Sequence, residues 1–140
     1  MIKNLAKYFK PEYRISLASA TYNRVDADLP EDTEYKLSRT ETIEANYNED
    51  IVKVSLTTSL EFEPADIFEL TVVFEALLKL EEAKKDEIDW KNVNLAEEFK
   101  KNGQFIMNNL ASRRALLIAQ ITSSWGQAPI MVPATMIQED

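Results

Sequence analysis

The stretch IVKVSLTTSLEFEPADIFELTVVFEALLKL, residues 51–80, decides the fold class. In its first half Val52, Val54, Leu56, Thr58, Leu60 and Phe62 occupy even positions, with Lys53, Ser55, Thr57, Ser59 and Glu61 between them. Successive side chains of a strand point to opposite faces, so a period of two describes a strand with one dry and one wet face. The second half repeats the pattern, with Phe68, Leu70, Val72, Phe74, Ala76, Leu78 and Leu80 again even. Between the halves stands Glu63-Pro64-Ala65-Asp66, where proline fixes its own φ and needs no ladder partner for a donor it lacks. Together they predict a long antiparallel hairpin whose even face is buried. A register centred on Ala65 sets Leu56 opposite Phe74 and Phe62 opposite Phe68, an apolar ladder that tolerates the mild cost of Glu61 facing Glu69.

Upstream, Tyr35 to Tyr47 alternates in the same way, with Leu37, Ile43, Ala45 and Tyr47 on one face and Lys36, Ser38, Thr40, Thr42 and Glu44 on the other. Asn48-Glu49-Asp50 supplies turn residues into the hairpin. Tyr13 to Tyr22 predicts a first strand with Tyr13, Ile15 and Leu17 on one side, and residues 26–33 a loop. Downstream the alternation ends. Asn94 followed by Glu97 is a capping box that opens a short helix, and Asn102-Gly103 closes it. A longer helix follows, roughly Phe105 to Ser123, with Ile106, Leu110, Leu117 and Ile121 in one stripe and Ala111, Ala115, Ile118 and Ala119 widening it. One helix on one sheet does not need so wide a face, and small residues admit close approach, so this helix is expected to pack on a sister helix as well.

Strands first and helices after them define the α+β class: a four-stranded antiparallel sheet with helices packed on one face and water on the other. With 140 residues the chain is expected to form a single domain. Its parts are an N-terminal arm (1–12), the sheet (13–80), a charged connector with the short helix (81–103), the long helix (104–124) and a proline-bracketed tail (125–140). The arm can form a short helix with Ile2, Leu5, Ala6 and Phe9 on one side, docked on its own domain or on a sister subunit.

A net charge of -8 argues against nucleic acid as a partner, since phosphate binding depends on clustered Lys and Arg. No Cys and no His removes disulfides, thiolate and imidazole chemistry and most transition-metal sites. No Gly-rich phosphate loop, nucleophile set or metal-ligand cluster is present, so neither cofactor nor metal nor enzymatic activity is expected. The carboxylates, as in Glu31-Asp32 and Glu81-Glu82, read as solvated surface, because catalytic carboxylates require burial and a partner. The N-terminus has no apolar core of a secretion signal, and the longest apolar run, Ala115 to Ala119, is far short of the ~20 residues a membrane span needs. A soluble, cytoplasmic protein without membrane insertion is the expectation.

Arg113-Arg114 reads as an exposed or interface salt-bridge site. Trp90 is expected to anchor the connector. Trp125 is either a core plug or part of an open groove, and Ile130-Met131-Val132, held between Pro129 and Pro133, carries the same two readings, with Met suited to an adaptable binding surface.

Four antiparallel strands, a charged connector, the helix NLASRRALLIAQITSSWG from Asn109 and an apolar segment closed by Pro133 resemble the SecB family of protein-export chaperones. Ala111, Arg113, Gly126 and Pro133 stand where that family has its helical Ala-Arg pattern, its Gly and its closing proline, and the run Glu49 to Leu56 is similar to its third strand. The resemblance spans about residues 13–137. It implies an ATP-independent holdase that keeps unfolded client polypeptides in apolar grooves and assembles as a homotetramer, a dimer of dimers, with long helices sandwiched between sheets built from two subunits. The groove residues it implies are Tyr22, Val25, Leu29, Tyr35 and Phe74, joined from the tail by Trp125, Ile130, Met131 and Val132. The oligomer interface it implies lies on the long helix, at Leu110, Ala111, Arg113 and Arg114, then Ala115, Leu117, Ile118 and Ile121.

Only ATMIQED follows Pro133 where the family has a final helix, and the acidic positions that engage the export motor ATPase have no clear counterpart beyond Glu69 and Glu75. Two services therefore stay open: protein export, or a chaperone dedicated to an antitoxin in a toxin-antitoxin system. The competing reading is a structural or adaptor oligomer of the same fold that fills its grooves with its own side chains.

Overall fold

The computed structural model describes residues 2–25, 32, 34–64, 67–124 and 128–135. Four strands form one antiparallel sheet: β1 (Phe9–Val25), β2 (Lys36–Asn48), β3 (Ile51–Glu63) and β4 (Ile67–Leu80). Their order across the sheet is β1-β4-β3-β2. β2, β3 and β4 meander, and β1 lies against β4, the order of a Greek key. Helices α1 (Leu95–Asn102) and α2 (Gln104–Ser123) follow. The α+β architecture read from the sequence is the one observed.

The central hairpin has the expected register. Leu56 is paired with Phe74 and Val54 with Ala76, and the rings of Phe62 and Phe68 meet edge to face at 5.0 Å. Every even residue from Phe68 to Leu80 on β4 is buried, as are Val52, Val54, Leu56, Thr58 and Leu60 on β3. The odd residues form the open face, where Ser59 and Thr71 share a hydrogen bond of 3.1 Å. β2 joins β3 through a two-residue turn in which Glu49 and Asp50 both have positive φ, 47° and 66°. That geometry matches the twist of paired strands, and Asp tolerates it through short local hydrogen bonds.

β1 starts at Phe9, earlier than the expected Tyr13, so part of the arm belongs to the sheet. A register shift between Leu17 and Ser19 breaks its simple alternation. Tyr13, Ile15 and Leu17 are partnered with Leu78, Ala76 and Phe74, and beyond the shift Ala20 and Tyr22 are partnered with Val72 and Leu70. The bulge therefore keeps odd residues before it and even residues after it on the core side.

α1 opens as a capped helix, with the Asn94 side chain accepting from the Glu97 amide at 3.3 Å. It ends at Gly103, where a Cβ would lie 2.4 Å from the Phe99 carbonyl oxygen and 2.8 Å from the Phe99 ring. Only glycine lets the chain turn so closely over that ring. α2 then crosses β4 and β3, while α1 covers β2. One end of the core is closed by the arm and the connector: Leu5, Tyr8, Phe9, Trp90 and Phe99 are all buried there. Trp90 packs edge-on against Tyr8 at 5.6 Å and donates its indole N–H to the Lys85 carbonyl at 2.9 Å. The arm is pinned by the Ile2 amide, which donates to the buried Glu98 carboxylate at 3.1 Å.

Candidate functional site

At the hairpin end of the sheet the core face is differently finished. Aromatic rings run across the strands from β1 to the residue preceding β2. Tyr22 lies 5.9 Å from Phe68, Phe68 lies 5.0 Å from Phe62, and Phe62 lies 6.4 Å from Tyr35. Phe68 is buried, but Tyr22 stays 40% exposed and Phe62 and Tyr35 are half-buried. Beside this row is a hollow of about 470 Å³ lined by Leu37, Phe62, Ile67, Phe68, Thr122 and the tail residues Ala128 and Ile130. Nearly all of these side chains are apolar, and no ionisable group is among them.

Thr122 shapes the far wall. Its hydroxyl donates to the Ile118 carbonyl at 2.8 Å and accepts from the Ile130 amide at 2.8 Å. A threonine near the end of α2 thus ties the tail back across the helix and orients the three residues between the prolines. Val132 turns inward and is buried with Leu60, Phe68 and Ile118. Met131 turns outward, 73% exposed. The alternation of an extended segment divides the tail between plugging the core and presenting a flexible apolar side chain to solvent.

Under α2 lies a buried polar cluster. Arg114, 1% exposed, reaches over the sheet, and its Nε lies 3.4 Å from Glu41 Oε2 on β2. The same carboxylate oxygen accepts from the buried Thr58 hydroxyl at 2.8 Å, and Arg39 approaches its other oxygen at 3.5 Å. Burial pushes the Arg114 guanidinium below its ordinary pKa, and Glu41 pulls it back up. The cluster ties α2 to β2 across the sheet. Among the described residues no group of His, Cys, Asp or Glu is placed to hold a metal ion, and no helix is long and apolar enough to cross a membrane.

Neither a protein-family model nor a curated protein matches the chain by sequence. Its shape is similar to a SecB-like chaperone of Mycobacterium tuberculosis, solved in complex with a ChAD peptide from the HigA1 antitoxin, with a TM-score of 0.64 at 18% identity over 93% of this chain and 89% of that one. The fold is SecB-like.

Within this SecB-like fold the groove residues read from the sequence separate into groups. Ile130 lines the hollow, Tyr22 and Tyr35 pack on its lining rings Phe68 and Phe62 without lining it themselves, and Met131 is exposed on the tail beside Ile130. Val25, partnered with Ile67 at the end of β1, is half-buried and does not line the hollow. Phe74 is not at the surface: it is buried mid-sheet between its partners Leu17 and Leu56. Val132 is a core plug. Leu29 and Trp125, and with them Gly126, lie outside the described residues. Phe62 and Phe68, the hollow's floor, show in the sequence only as dry-face residues of the hairpin, because the alternation does not tell where the covering helix ends.

The residues expected at an oligomer interface separate too. Leu110, Ala111, Arg114, Ala115 and Ile118 are buried against the chain's own sheet. For Arg114 this corrects the reading of an exposed or interface salt bridge, since its partner is Glu41 of the same chain. Arg113 is exposed, its Nε donating to Asn109 one turn earlier at 3.1 Å, and Leu117 and Ile121 are half-buried. Leu116, absent from that expectation, is 61% exposed on α2.

Proposed function

We propose that the protein is an ATP-independent holdase that keeps unfolded or non-native polypeptide in the hollow at the hairpin end of its sheet. The observation that carries this reading is the aromatic row from Tyr22 to Tyr35, left partly open beside a tail that presents Met131. A holdase needs apolar area with little shape demand, and rings joined by a methionine supply it. Among the described residues the hollow's lining has no ionisable group, which suits binding rather than chemistry. The structural neighbour's antitoxin peptide supports a dedicated client of that kind, with general export as the broader service. Glu69 and Glu75 both project from odd positions of β4, so the open face retains carboxylates with which an export motor could engage.

We further assign a homo-oligomer, a dimer of dimers, working in the cytoplasm. Two apolar surfaces support assembly. On the core side of edge strand β1, Tyr13 and Leu17 are 38% and 47% exposed, and α2 presents Leu116. Uncovered surfaces of this kind are commonly completed by another subunit.

The test is suppression of aggregation of a reduced, denatured client without nucleotide. The protein suppresses aggregation at near-stoichiometric amounts, and Met131→Asp weakens capture while the unfolding midpoint and light-scattering mass stay unchanged, as does Tyr22→Asp with the mass unchanged and a loss of about 1 kcal/mol in stability. Full capture by both folded variants removes the hollow as the client site, and no suppression by the parent protein favours an adaptor whose tail fills its own groove.

A further inference from the structure

The open face of the sheet carries a second feature, at the opposite end from the aromatic row. Arg14, Leu77 and Lys53 are register partners across β1, β4 and β3, so a cation flanks each side of Leu77. Lys79 lies two residues further along β4, on the same face and partnered with Ile51. Lys10, Arg14 and Lys79, without Lys53, line a hollow of about 490 Å³ together with Glu12, Tyr13, Ile51 and Leu77. Leu77 is 36% exposed at its floor.

The chain has 24 acidic residues against 16 basic ones. Even so, none of Lys10, Arg14, Lys53 and Lys79 makes an ion pair among the described residues. The nearby carboxylates on this side, Glu12 in the hollow, Glu75 two residues before Leu77 and Glu44, partnered with Ser55 two residues after Lys53, leave them unpaired. Like charges on neighbouring strands repel, and an exposed leucine among them gains nothing from water. A ligand that brings carboxylates and an apolar side chain offsets both costs.

We propose that this end of the open face is a docking site for an acidic protein segment, with carboxylates set against Arg14, Lys53 and Lys79 and an apolar side chain seated on Leu77 and Ile51. Charge complementarity favours a short peptide over nucleic acid. A long polyanion extends beyond the patch into the field of a chain with net charge -8, whereas a peptide confined to the patch has Lys10, Arg14, Lys53 and Lys79 as its nearest charges together with the fewer carboxylates Glu12, Glu44 and Glu75. The site is separate from the aromatic hollow and does not depend on what that hollow binds.

Fluorescence anisotropy with a labelled peptide repeating Glu-Leu-Asp-Leu-Glu tests the proposal on the full chain. The peptide binds, more weakly as salt rises, and its glutamine-for-acid counterpart does not. R14E/K53E lowers affinity about tenfold or more, as reversing charges at a steered interface does, and Leu77→Ser lowers it about threefold through lost apolar burial. Should the charge reversal disturb the sheet, K53Q/K79Q, which introduces no repulsion, also weakens binding. No binding of the acidic peptide, unchanged affinity in folded R14E/K53E and K53Q/K79Q, or equally tight binding of an oligothymidine of the same charge overturns it.

Discussion

The two ends of the core face use the same materials to opposite effect. At the arm end, Tyr8, Phe9, Trp90 and Phe99 form an aromatic cluster with every member buried. At the hairpin end, Tyr22, Phe68, Phe62 and Tyr35 form a row with only Phe68 fully buried. The strands do not make this difference, because Phe9 at one end and Phe62 and Phe68 at the other come from the same sheet. It comes from what lies on top: the 3₁₀ turn Leu5–Tyr8, the connector and α1 close one end, while α2 ends at Ser123 and, among the described residues, only the tail continues over the other. An aromatic cluster is core or binding surface according to its cover, and cover is a matter of chain path rather than residue type.

The largest effect that separates the ends is expected from truncating one ring in each. Phe99→Ala removes a ring that is fully buried, and such truncations cost about 3–5 kcal/mol through lost transfer energy and the cavity left behind. Tyr22→Ala removes a ring that is 40% exposed and packed on Phe68, worth about 1 kcal/mol in stability. Denaturant unfolding gives both values, and client capture reverses their order, with Tyr22→Ala the more damaging per unit of stability lost. Equal destabilisation by the two substitutions would mean that the hairpin end is as closed as the arm end.

Gly103→Ala sharpens the comparison at the seal itself. The new Cβ meets the Phe99 carbonyl oxygen, and moving α1 away loosens the cover over the aromatic cluster. Overpacking of this kind costs about 1–3 kcal/mol. Amide hydrogen exchange is expected to rise in α1 and in the Leu5–Tyr8 turn, with the strands at the hairpin end unaffected.

The contrast also marks what was legible in the sequence. The hairpin register followed from alternation around Ala65, α1 from Asn94 and Glu97, and the limits of α2 from its apolar stripe, since each signal is local. The neighbour of β1 was not legible, because the alternation of Tyr13, Ile15 and Leu17 states a face and not a partner. The bulge after Leu17 then brought Tyr22 to the core side against its parity. Arg114 was misread because Glu41, which makes its burial tolerable, is on a strand that no local pattern connects to α2. Of the residues that line the hollow, Ile130 alone was legible as a groove residue, with Tyr22, Tyr35 and Met131 beside it. The rest, Phe62 and Phe68 as its floor, depends on where the helix stops covering the sheet.

The smallest expected effect concerns the pin that holds the connector at the closed end. Lys85 Nζ lies 3.0 Å from Asp50 Oδ2 and 3.3 Å from Glu82, and the hydrogen bond to Asp50, then that to Glu82, raises its pKa above the ordinary 10.5. A raised lysine pKa means that folding favours the charged form. Its stabilisation is therefore complete below the unfolded-state pKa and is lost as pH rises through the higher folded-state value. The ammonium is solvated and the pair screened, so the contribution is small. Comparing the parent protein with Lys85→Met by thermal unfolding, the difference is expected to be constant from neutral pH to about pH 9 and to shrink above about pH 10.5. A difference that grows with alkalinity would break the link between this lysine and the seal.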